Sequence, residues 1–328
     1  MGLLCAAAMA STGPAAAQQT GVDSDSGAIC VLDAGAIDVE SGSSGQGIET
    51  GGLIWRVSYR AQRVTALDPG SLEPVIDKEL GQTTAAVLTP LSDVGGLVAV
   101  SISGPGQGAV QFLEPQTGNT VATIAVGAAP STRPDAFQLV TGVVTIGDLA
   151  YVASGEHLTV IDIDALGSLG DERAVVERIP VDHPIAELGV VDETLVLREL
   201  MSDRVWSLGI SALEPYDGPV PWSSVQVGTD HFSITGGDLV RLGEPGADNV
   251  DIPVIGGPTS IAVTSASLWA SSRSDDAWFV SLVDPATSAV TATVNVDGPI
   301  WWLWATSDTL FVETPHQALA LTASRCRP

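Results

Sequence analysis

The sequence predicts an all-β protein folded as a single β-propeller, a ring of four-stranded antiparallel blades. Three features indicate this fold class: a short apolar phrase that recurs along the chain, similar turns between its copies, and almost no helical periodicity. Most copies lie near 45 residues apart, with one interval of 52 and one of 29. A spacing of about 45 residues is typical of a four-stranded, WD40-like propeller unit. The copies begin at Leu53, Leu97, Leu149, Leu195, Leu239, Leu268 and Leu310.

Each unit contains four β-like runs in a fixed order. One run precedes the phrase, as in TTAAVLT, and another follows it and ends in a turn, as in VTALDPGS and FVSLVDPATS. The turns at Asp68-Pro69, Glu114-Pro115 and Asp284-Pro285 place an acidic acceptor before a proline whose fixed φ suits a type I turn. Return runs such as TVATIAVG then lead to the next unit. The order predicts hairpins that build one blade each.

The number of phrases predicts seven blades, although the 29-residue interval after Leu239 leaves six blades open. A blade cannot bury both faces alone, so the ring must close. The run AICVLDAGAIDV near the N-terminus has no partner in its own unit, and the C-terminus has residues for only part of a last blade. We therefore expect the N- and C-terminal strands to complete one blade together.

The N-terminal segment differs in composition from the rest. Residues 1–17 read as an apolar stretch followed by small residues before Gln18, which predicts a signal peptide. Residues 18–28 are then a polar linker, and residues 29–327 form the propeller. The mature protein is expected outside the cytoplasm, secreted or in the cell envelope. Cys5 leaves open whether it is released or lipid-anchored, and no apolar run is long enough for a transmembrane segment.

Two cysteines remain after removal of the signal peptide, Cys30 and Cys326, at opposite ends of the mature chain. In an oxidising compartment such a pair predicts a disulfide. The bond would fasten the two ends at the blade that they complete together. Two unrelated buried thiols are the alternative.

The charge is strongly one-sided. The chain carries 39 acidic residues against 13 basic ones, a formal net charge of −26. Nucleic acid is therefore excluded as a partner. The charge suits a soluble protein, expected to be a monomer, and it is compatible with cation binding.

The recurring pattern resembles the YVTN-type β-propeller repeats of exported bacterial proteins. The clearest matches are VQFLEPQTGNTVATIAVGAAP at 110–130 and VSLVDPATSAVTATVNVDGP at 280–299, and the resemblance extends over 29–327. It implies a propeller but no single activity. There is a weaker likeness to streptogramin lyase-type propellers, which use a histidine in a Pro-His pair. Here the order is His183-Pro184, so the lyase activity is not carried over.

Candidate site residues come from aligning the loops that connect one blade's outer strand with the next blade's inner strand. In this alignment two consecutive loops carry Asp-His pairs, and a third carries an aspartate at the same place. The predicted ligand-binding residues are Asp182, His183, Asp230, His231 and Asp297. The first four could hold a divalent metal or serve in acid/base chemistry at the channel mouth. The alternative is that loop tips simply favour polar residues.

Other chemistry is sparse in the sequence. Trp301, Trp302 and Trp304 on a predicted inner strand are interpreted mainly as packing residues, with a stacking platform for a sugar or aromatic ligand as the alternative. No serine nucleophile elbow, HExxH or CxxC motif occurs. Catalytic residues are thus unknown from the sequence, and no cofactor is predicted beyond the possible divalent metal.

The sequence favours a non-catalytic binding module that uses its rim loops for a protein, a glycan or a cell-envelope component. The first alternative is a metal-assisted lyase or hydrolase with its site at the Asp-His loops. The second is a purely structural envelope protein.

Overall fold

A computed structural model of the chain shows seven four-stranded antiparallel blades arranged in a ring, the predicted seven-bladed β-propeller. The alternative of six blades is thereby excluded. The structure describes residues 29–325 apart from gaps at 39–46, 59–62, 81–90, 106–107, 127–136, 139, 156, 168–172, 183, 201, 203, 210–212, 219, 221–223, 243–248 and 266. Within these residues, no helix has the length and hydropathy needed to cross a membrane.

The strands follow one another from the channel outward in blades 1 to 6. The first strand is β1 (Ile29–Asp38). Blade 1 contains β2 (Gly47–Thr50), β3 (Leu53–Ser58), β4 (Arg63–Leu67) and β5 (Pro74–Glu79). Blade 2 contains β6 (Leu91–Val94), β7 (Leu97–Ile102), β9 (Gly108–Leu113) and β10 (Thr120–Val126), and β8 (Gly104–Pro105) pairs separately with β11 (Phe137–Gln138).

The remaining blades have the same order. Blade 3 contains β12 (Val140–Ile146), β13 (Leu149–Ser154), β14 (His157–Asp162) and β15 (Val175–Pro180). Blade 4 contains β16 (Ile185–Val191), β17 (Thr194–Glu199), β18 (Val205–Leu208) and β19 (Leu213–Pro215). Blade 5 contains β20 (Ser224–Val227), β21 (Asp230–Thr235), β22 (Asp238–Arg241) and β23 (Val250–Ile252).

Blades 6 and 7 complete the ring. Blade 6 contains β24 (Gly257–Thr264), β25 (Ser267–Ser274), β26 (Ala277–Asp284) and β27 (Ala289–Val296). Blade 7 contains β28 (Trp302–Ala305), β29 (Leu310–Glu313) and β30 (Gln317–Arg325), with β1 as its outermost strand.

The seam of the ring is the predicted one, because N- and C-terminal strands share a blade. β1 runs antiparallel to β30 from the pair Ile29 and Arg325 to the pair Asp38 and Gln317. Cys30 lies opposite Ser324 in this register. Ser324 is two residues before Cys326, which lies outside the described residues. The disulfide therefore stays a prediction.

The strand order gives the ring two faces. At the first, here called the connection face, lie the loops that join each outer strand to the next inner strand, together with the turns between second and third strands. The turns between first and second strands and between third and fourth strands lie at the opposite face.

The core consists of apolar clusters between neighbouring blades. Such clusters lie at six junctions, namely blades 1–2, 2–3, 3–4, 5–6, 6–7 and 7–1. Within the described residues, no cluster joins blades 4 and 5. Blade packing is thus uneven around the ring.

The seam also contains a buried ion pair. Glu313, which is 0 % exposed, accepts a hydrogen bond from the Arg56 guanidinium at 3.0 Å and one from Trp304 Nε1 at 3.2 Å. The Trp304 ring stacks on Phe311 with 4.1 Å between the ring centroids. At the channel wall, Glu49 Oε2 accepts the Ser307 backbone N–H at 2.8 Å. The Arg56–Glu313 pair and the Glu49–Ser307 hydrogen bond tie blade 7 to blade 1.

Blade 5 explains the irregular 29-residue interval. The phrase at Leu239 lies on the third strand, β22, whereas the other six phrases lie on second strands. The second strand of blade 5 is β21, which begins at Asp230, 36 residues after Thr194 and 37 before Ser267. The Gly236-Gly237 turn caused the shift, because it joins second and third strands here, whereas Gly51-Gly52 and Gly95-Gly96 join first and second strands. All six glycines have positive φ, which glycine adopts most readily.

Candidate functional site

Two of the predicted site residues lie on the connection face. Asp182 is in the loop between β15 and β16, Asp297 is in the loop between β27 and β28, and both are exposed. The first loop joins blades 3 and 4 and the second joins blades 6 and 7, so the two carboxylates are separated by three blades of the ring. His183 lies outside the described residues. A ligand-binding role for these residues stays a prediction.

The predicted position of Asp230 and His231 is wrong. Val227 pairs directly with Asp230 across the two-residue turn Gly228-Thr229, which joins first and second strands of blade 5 and therefore lies on the opposite face. Gly228 has a φ of 62°, as a tight turn between adjacent strands requires. The sequence Val-Gly before Asp230 resembled the end of an outer strand, which is why the alignment placed it in a connecting loop.

The Asp230 carboxylate is engaged by its own blade. Its Oδ1 accepts hydrogen bonds from Arg241 Nε at 3.1 Å and from Arg241 Nη2 at 2.5 Å. His231 pairs with Gln226 within the sheet. The four residues predicted to hold a metal therefore do not converge on one rim. Among the described residues, no group of three or more His, Cys, Asp or Glu side chains is arranged to hold a metal ion.

The connection face carries large apolar side chains that are exposed. Leu200 follows β17 and is 48 % exposed, Ile255 lies between β23 and β24 and is 47 % exposed, and Trp301 and Trp302 at the start of β28 are 44 % and 38 % exposed. The other exposed large apolar side chains of the described residues, Val75, Val176 and Val250, lie on outermost strands. An apolar arc thus extends over the connection face from blade 4 to blade 7.

Of the three tryptophans at the start of blade 7, one is buried and two are exposed. The packing interpretation is correct for Trp304, which is 4 % exposed. It is wrong for Trp301 and Trp302, because β28 begins only at Trp302 and the first residues of an inner strand lie at the mouth of the channel. Alternation along the strand predicts which side a residue takes but not whether a neighbouring blade covers it.

On the opposite face, the turns between first and second strands consist of small and polar residues. These turns include Gly51-Gly52, Gly95-Gly96, Gly147-Asp148, Asp192-Glu193 and Gly228-Thr229. None of the exposed large apolar side chains found in the described residues lies in these turns. The two faces therefore differ in apolar surface. Acidic residues occur on both, and among the described residues those in or directly beside the loops and turns of the connection face include Asp182, Asp217, Asp238, Asp275, Asp276 and Asp297.

A cleft of about 810 Å³ lies between blades 3 and 4. Its apolar lining comes from both blades, and Asp182 belongs to the lining at the connection face. The volume is within the range of roughly 300–1,000 Å³ that ligand pockets occupy. The main apolar residues are Tyr151, Val160, Ile179, Val181, Leu197, Trp206, Leu208 and Leu213.

Glu199 is the fixed polar group of this cleft. It is 9 % exposed; its Oε1 accepts a hydrogen bond from Trp206 Nε1 at 2.8 Å, and its Oε2 accepts one from Ser202 Oγ at 2.5 Å. Glu199 and Trp206 were not among the site residues predicted from the sequence. One sequence signal could have found Glu199: the strands TLVLRE and LFVE both end in a glutamate, and the second of these, Glu313, likewise accepts a hydrogen bond from a tryptophan.

Comparisons with known proteins show the fold of this chain. No protein-family model matches it, and no curated protein matches it. The YVTN-type resemblance therefore stays a prediction. The streptogramin B lyase structure is similar with a TM-score of 0.63 and 13 % identity, covering 90 % of this chain and 98 % of that one.

Two further solved structures are similar. BBS1N, in a complex with ARL6DN, has a TM-score of 0.58 and 12 % identity, over 90 % of this chain and 97 % of that one. PorZ, a bacterial surface component of the type-IX secretion system of Porphyromonas gingivalis, has a TM-score of 0.55 and 11 % identity, over 91 % of this chain and 39 % of that one. At these identities the likeness shows the fold alone, and one fold hosts many functions. The chain is a seven-bladed β-propeller, a fold that its neighbours use both for binding and for enzymatic activity.

Proposed function

We propose that this protein is an exported, non-catalytic binding module that holds a protein partner on its connection face. The observation that carries the proposal is the apolar arc of Leu200, Ile255, Trp301 and Trp302, which has no counterpart on the opposite face of the described structure. Tryptophan is among the residues that contribute most to the binding energy of protein interfaces when a partner excludes water from them, and apolar neighbours complete such a surface. A rigid ring presents them on loops, where binding residues commonly lie.

The solved structures support the choice of partner only by analogy. BBS1N was solved in a complex with another protein, ARL6DN, and PorZ is described as a bacterial surface component. Both are consistent with a propeller that binds proteins, and the second with a location at the cell surface. The export itself rests on the predicted signal peptide at residues 1–17, which lie outside the described residues.

The metal-assisted lyase or hydrolase has less support than the binding module. Asp230 is paired with Arg241 and, like His231, lies on the opposite face from Asp182. A metal site on the connection face would have to use Asp182 and His183 without Asp230 and His231. Thermal unfolding with a chelator and then with Ca²⁺, Mg²⁺, Mn²⁺ or Zn²⁺ tests this alternative, because a ligand that binds only the folded state raises the thermal midpoint.

The binding proposal is tested by selecting ligands from a random-peptide display library on the purified mature protein. Trp301→Ala and Trp302→Ala are expected to weaken the selected ligands by about thirtyfold each, the effect of truncating a central interface residue by about 2 kcal/mol. Val75→Ala is the control, since Val75 is also an exposed apolar residue, at 55 %, but lies on outer strand β5. The proposal would be contradicted by ligands whose affinity is unchanged in both tryptophan variants, or by ligands that protect amides of the opposite face from hydrogen exchange.

A further inference from the structure

We propose that the cleft between blades 3 and 4 receives a segment of the partner that combines an apolar side chain with a neighbouring lysine or arginine. This inference rests on the proposed function and names the chemistry of the partner at one part of the connection face. Four features of the described residues carry it: an incompletely filled junction, apolar walls from both blades, carboxylates in the lining and the net charge of the chain.

The junction of blades 3 and 4 is less completely filled than its counterparts. Trp55, Tyr151 and Trp269 each lie on a second strand and pack in the cluster shared with the next blade. Trp55 and Trp269 are 0 % exposed, whereas Tyr151 is only partly buried and lines the cleft. At this position of the second strand a tryptophan fills the junctions of blades 1–2 and 6–7, whereas Tyr151 leaves space between blades 3 and 4 and lines that space with its ring.

The second wall of the cleft belongs to blade 4. Leu197 on β17, Trp206 and Leu208 on β18, and Leu213 on β19 line it. The hydrogen bond from Trp206 Nε1 to Glu199 holds the indole ring in place. An apolar side chain of a partner would therefore lose its contact with water between two preformed walls, which is the main source of binding free energy in such pockets.

The charges of the cleft lining and of the whole chain favour a cationic group beside the apolar side chain of the partner. Glu177 and Asp182 are exposed members of the lining, and Glu199 is a buried one. The lining also contains two arginines, so three carboxylates stand against two guanidinium groups: Arg198 donates to the Glu187 carboxylate at 2.9 Å, and Arg204 is exposed. A formal net charge of −26 adds an attractive field for cationic partners and repels anionic ones. A lysine or arginine beside the apolar side chain fits these surroundings.

Other occupants fit less well. A second copy of this chain carries the same net charge of −26 and would be repelled. A neutral glycan would bring neither the cation nor the apolar side chain. A basic protein segment satisfies both requirements at once.

The experiment uses short fluorescently labelled peptides on the mature protein, with binding followed by fluorescence anisotropy. The probe peptide is Gly-Lys-Leu-Arg-Gly-amide with the fluorophore on its N-terminal amine, and the two comparison peptides replace both cations by glutamate or the leucine by glycine. We expect the probe to bind at least tenfold more tightly than either comparison peptide. The double variant Glu177→Gln with Asp182→Asn should weaken the probe by about tenfold and reduce the salt dependence of its binding.

Asp192→Asn is the control, because it removes one carboxylate from the opposite face at a position with a φ of 47° that asparagine tolerates. It should leave binding of the probe unchanged. Equal binding of the three peptides, no binding of the probe, or an equal effect of the control variant would overturn the inference. The proposed function would then still stand if display-selected ligands depend on Trp301 and Trp302, and would fall if they do not.

Discussion

The junction between blades 7 and 1 and the junction between blades 4 and 5 belong to the same ring but are built differently. At the first, residues 257 positions apart in the chain meet in the buried pair of Arg56 and Glu313, and Ile54, Trp304 and Phe311 share an apolar cluster. At the second, the described residues share no such cluster. The place where the chain closes on itself is therefore reinforced, and the less reinforced place lies within the continuous chain.

The surfaces at the blade 4–5 junction explain the difference. Leu195 and Leu197 of β17 pack toward blade 3, so alternation turns Val196 between them toward blade 5. Phe232 packs toward blade 6, which turns His231 and Ser233 toward blade 4. Blade 5 thus turns the polar side chains of His231 and Ser233 toward blade 4. The comparison teaches that closure by terminal strands need not be the weak point of a propeller.

The largest expected effect comes from breaking the ion pair at the seam. Glu313→Ala leaves the Arg56 guanidinium, which is 11 % exposed, without its carboxylate and removes the acceptor of Trp304 Nε1. Loss of one partner from a buried pair costs about 3–5 kcal/mol. Urea unfolding should show this decrease in the free energy of unfolding.

Glu187→Ala in blade 4 is the matched control for that prediction. It breaks the ion pair between Glu187 and Arg198, in which the Arg198 side chain is 32 % exposed and the Glu187 side chain 36 %. Ion pairs that are exposed in this way contribute about 0–1 kcal/mol to stability. An equal loss of stability in both variants would refute the special contribution of the buried pair at the blade 7–1 junction.

The second expected effect concerns the predicted disulfide at the same seam. If Cys30 and Cys326 are bonded, Cys326→Ser should lower the free energy of unfolding by about 2–4 kcal/mol, because the bond restricts the unfolded chain. A reducing agent should destabilise the native mature protein by a similar amount and leave the variant unchanged. Thiol titration and mass spectrometry of unreduced peptides measure the bond directly, and two free thiols in the oxidised mature protein would disprove it.

A smaller effect should appear in native-state hydrogen exchange. Amides of β21 and β22 in blade 5 should exchange at least about tenfold faster than those of β29 and β30 in blade 7, a difference of about 1.4 kcal/mol in opening free energy. The reason is that opening the blade 4–5 junction exposes less apolar surface. Slower exchange in blade 5 than in blade 7 would reverse the comparison.

The smallest effect lies in a turn that belongs to neither junction. Hydrogen bonds from the Ser71 backbone N–H and hydroxyl, and one from the Gly70 N–H, lower the pKa of the exposed Asp68 carboxyl below its ordinary value of 3.8. A lowered pKa contributes stability above the unfolded value, and that contribution disappears as the pH falls through the folded pKa. Asp68→Ala should therefore be slightly less stable than the native protein at pH 7 and equally stable at low pH. A difference that grows on acidification would contradict this sign.

Much of the fold could be predicted because its signals are local. The Asp-Pro turns at Asp68 and Asp284 and the leucine-led second strands repeat within each unit, and each repeat is stabilised by neighbours in sequence. The partnerless strand near Cys30 indicated the closure that β1 and β30 form. In blade 5 the same reasoning failed, since a Gly-Gly turn specifies a hairpin but not which two strands of the blade it joins.

The sequence by itself thus determined the all-β class, the repeating unit and the way the ring closes, because these depend on turn chemistry and on alternation along single strands. Only the tertiary structure decided that Asp230 and His231 face away from Asp182, that Trp302 is exposed while Trp304 is buried, and that Glu199 lies in a cleft. These properties depend on which blade covers a residue. Such contacts join positions as distant as Arg56 and Glu313, and no local pattern records them.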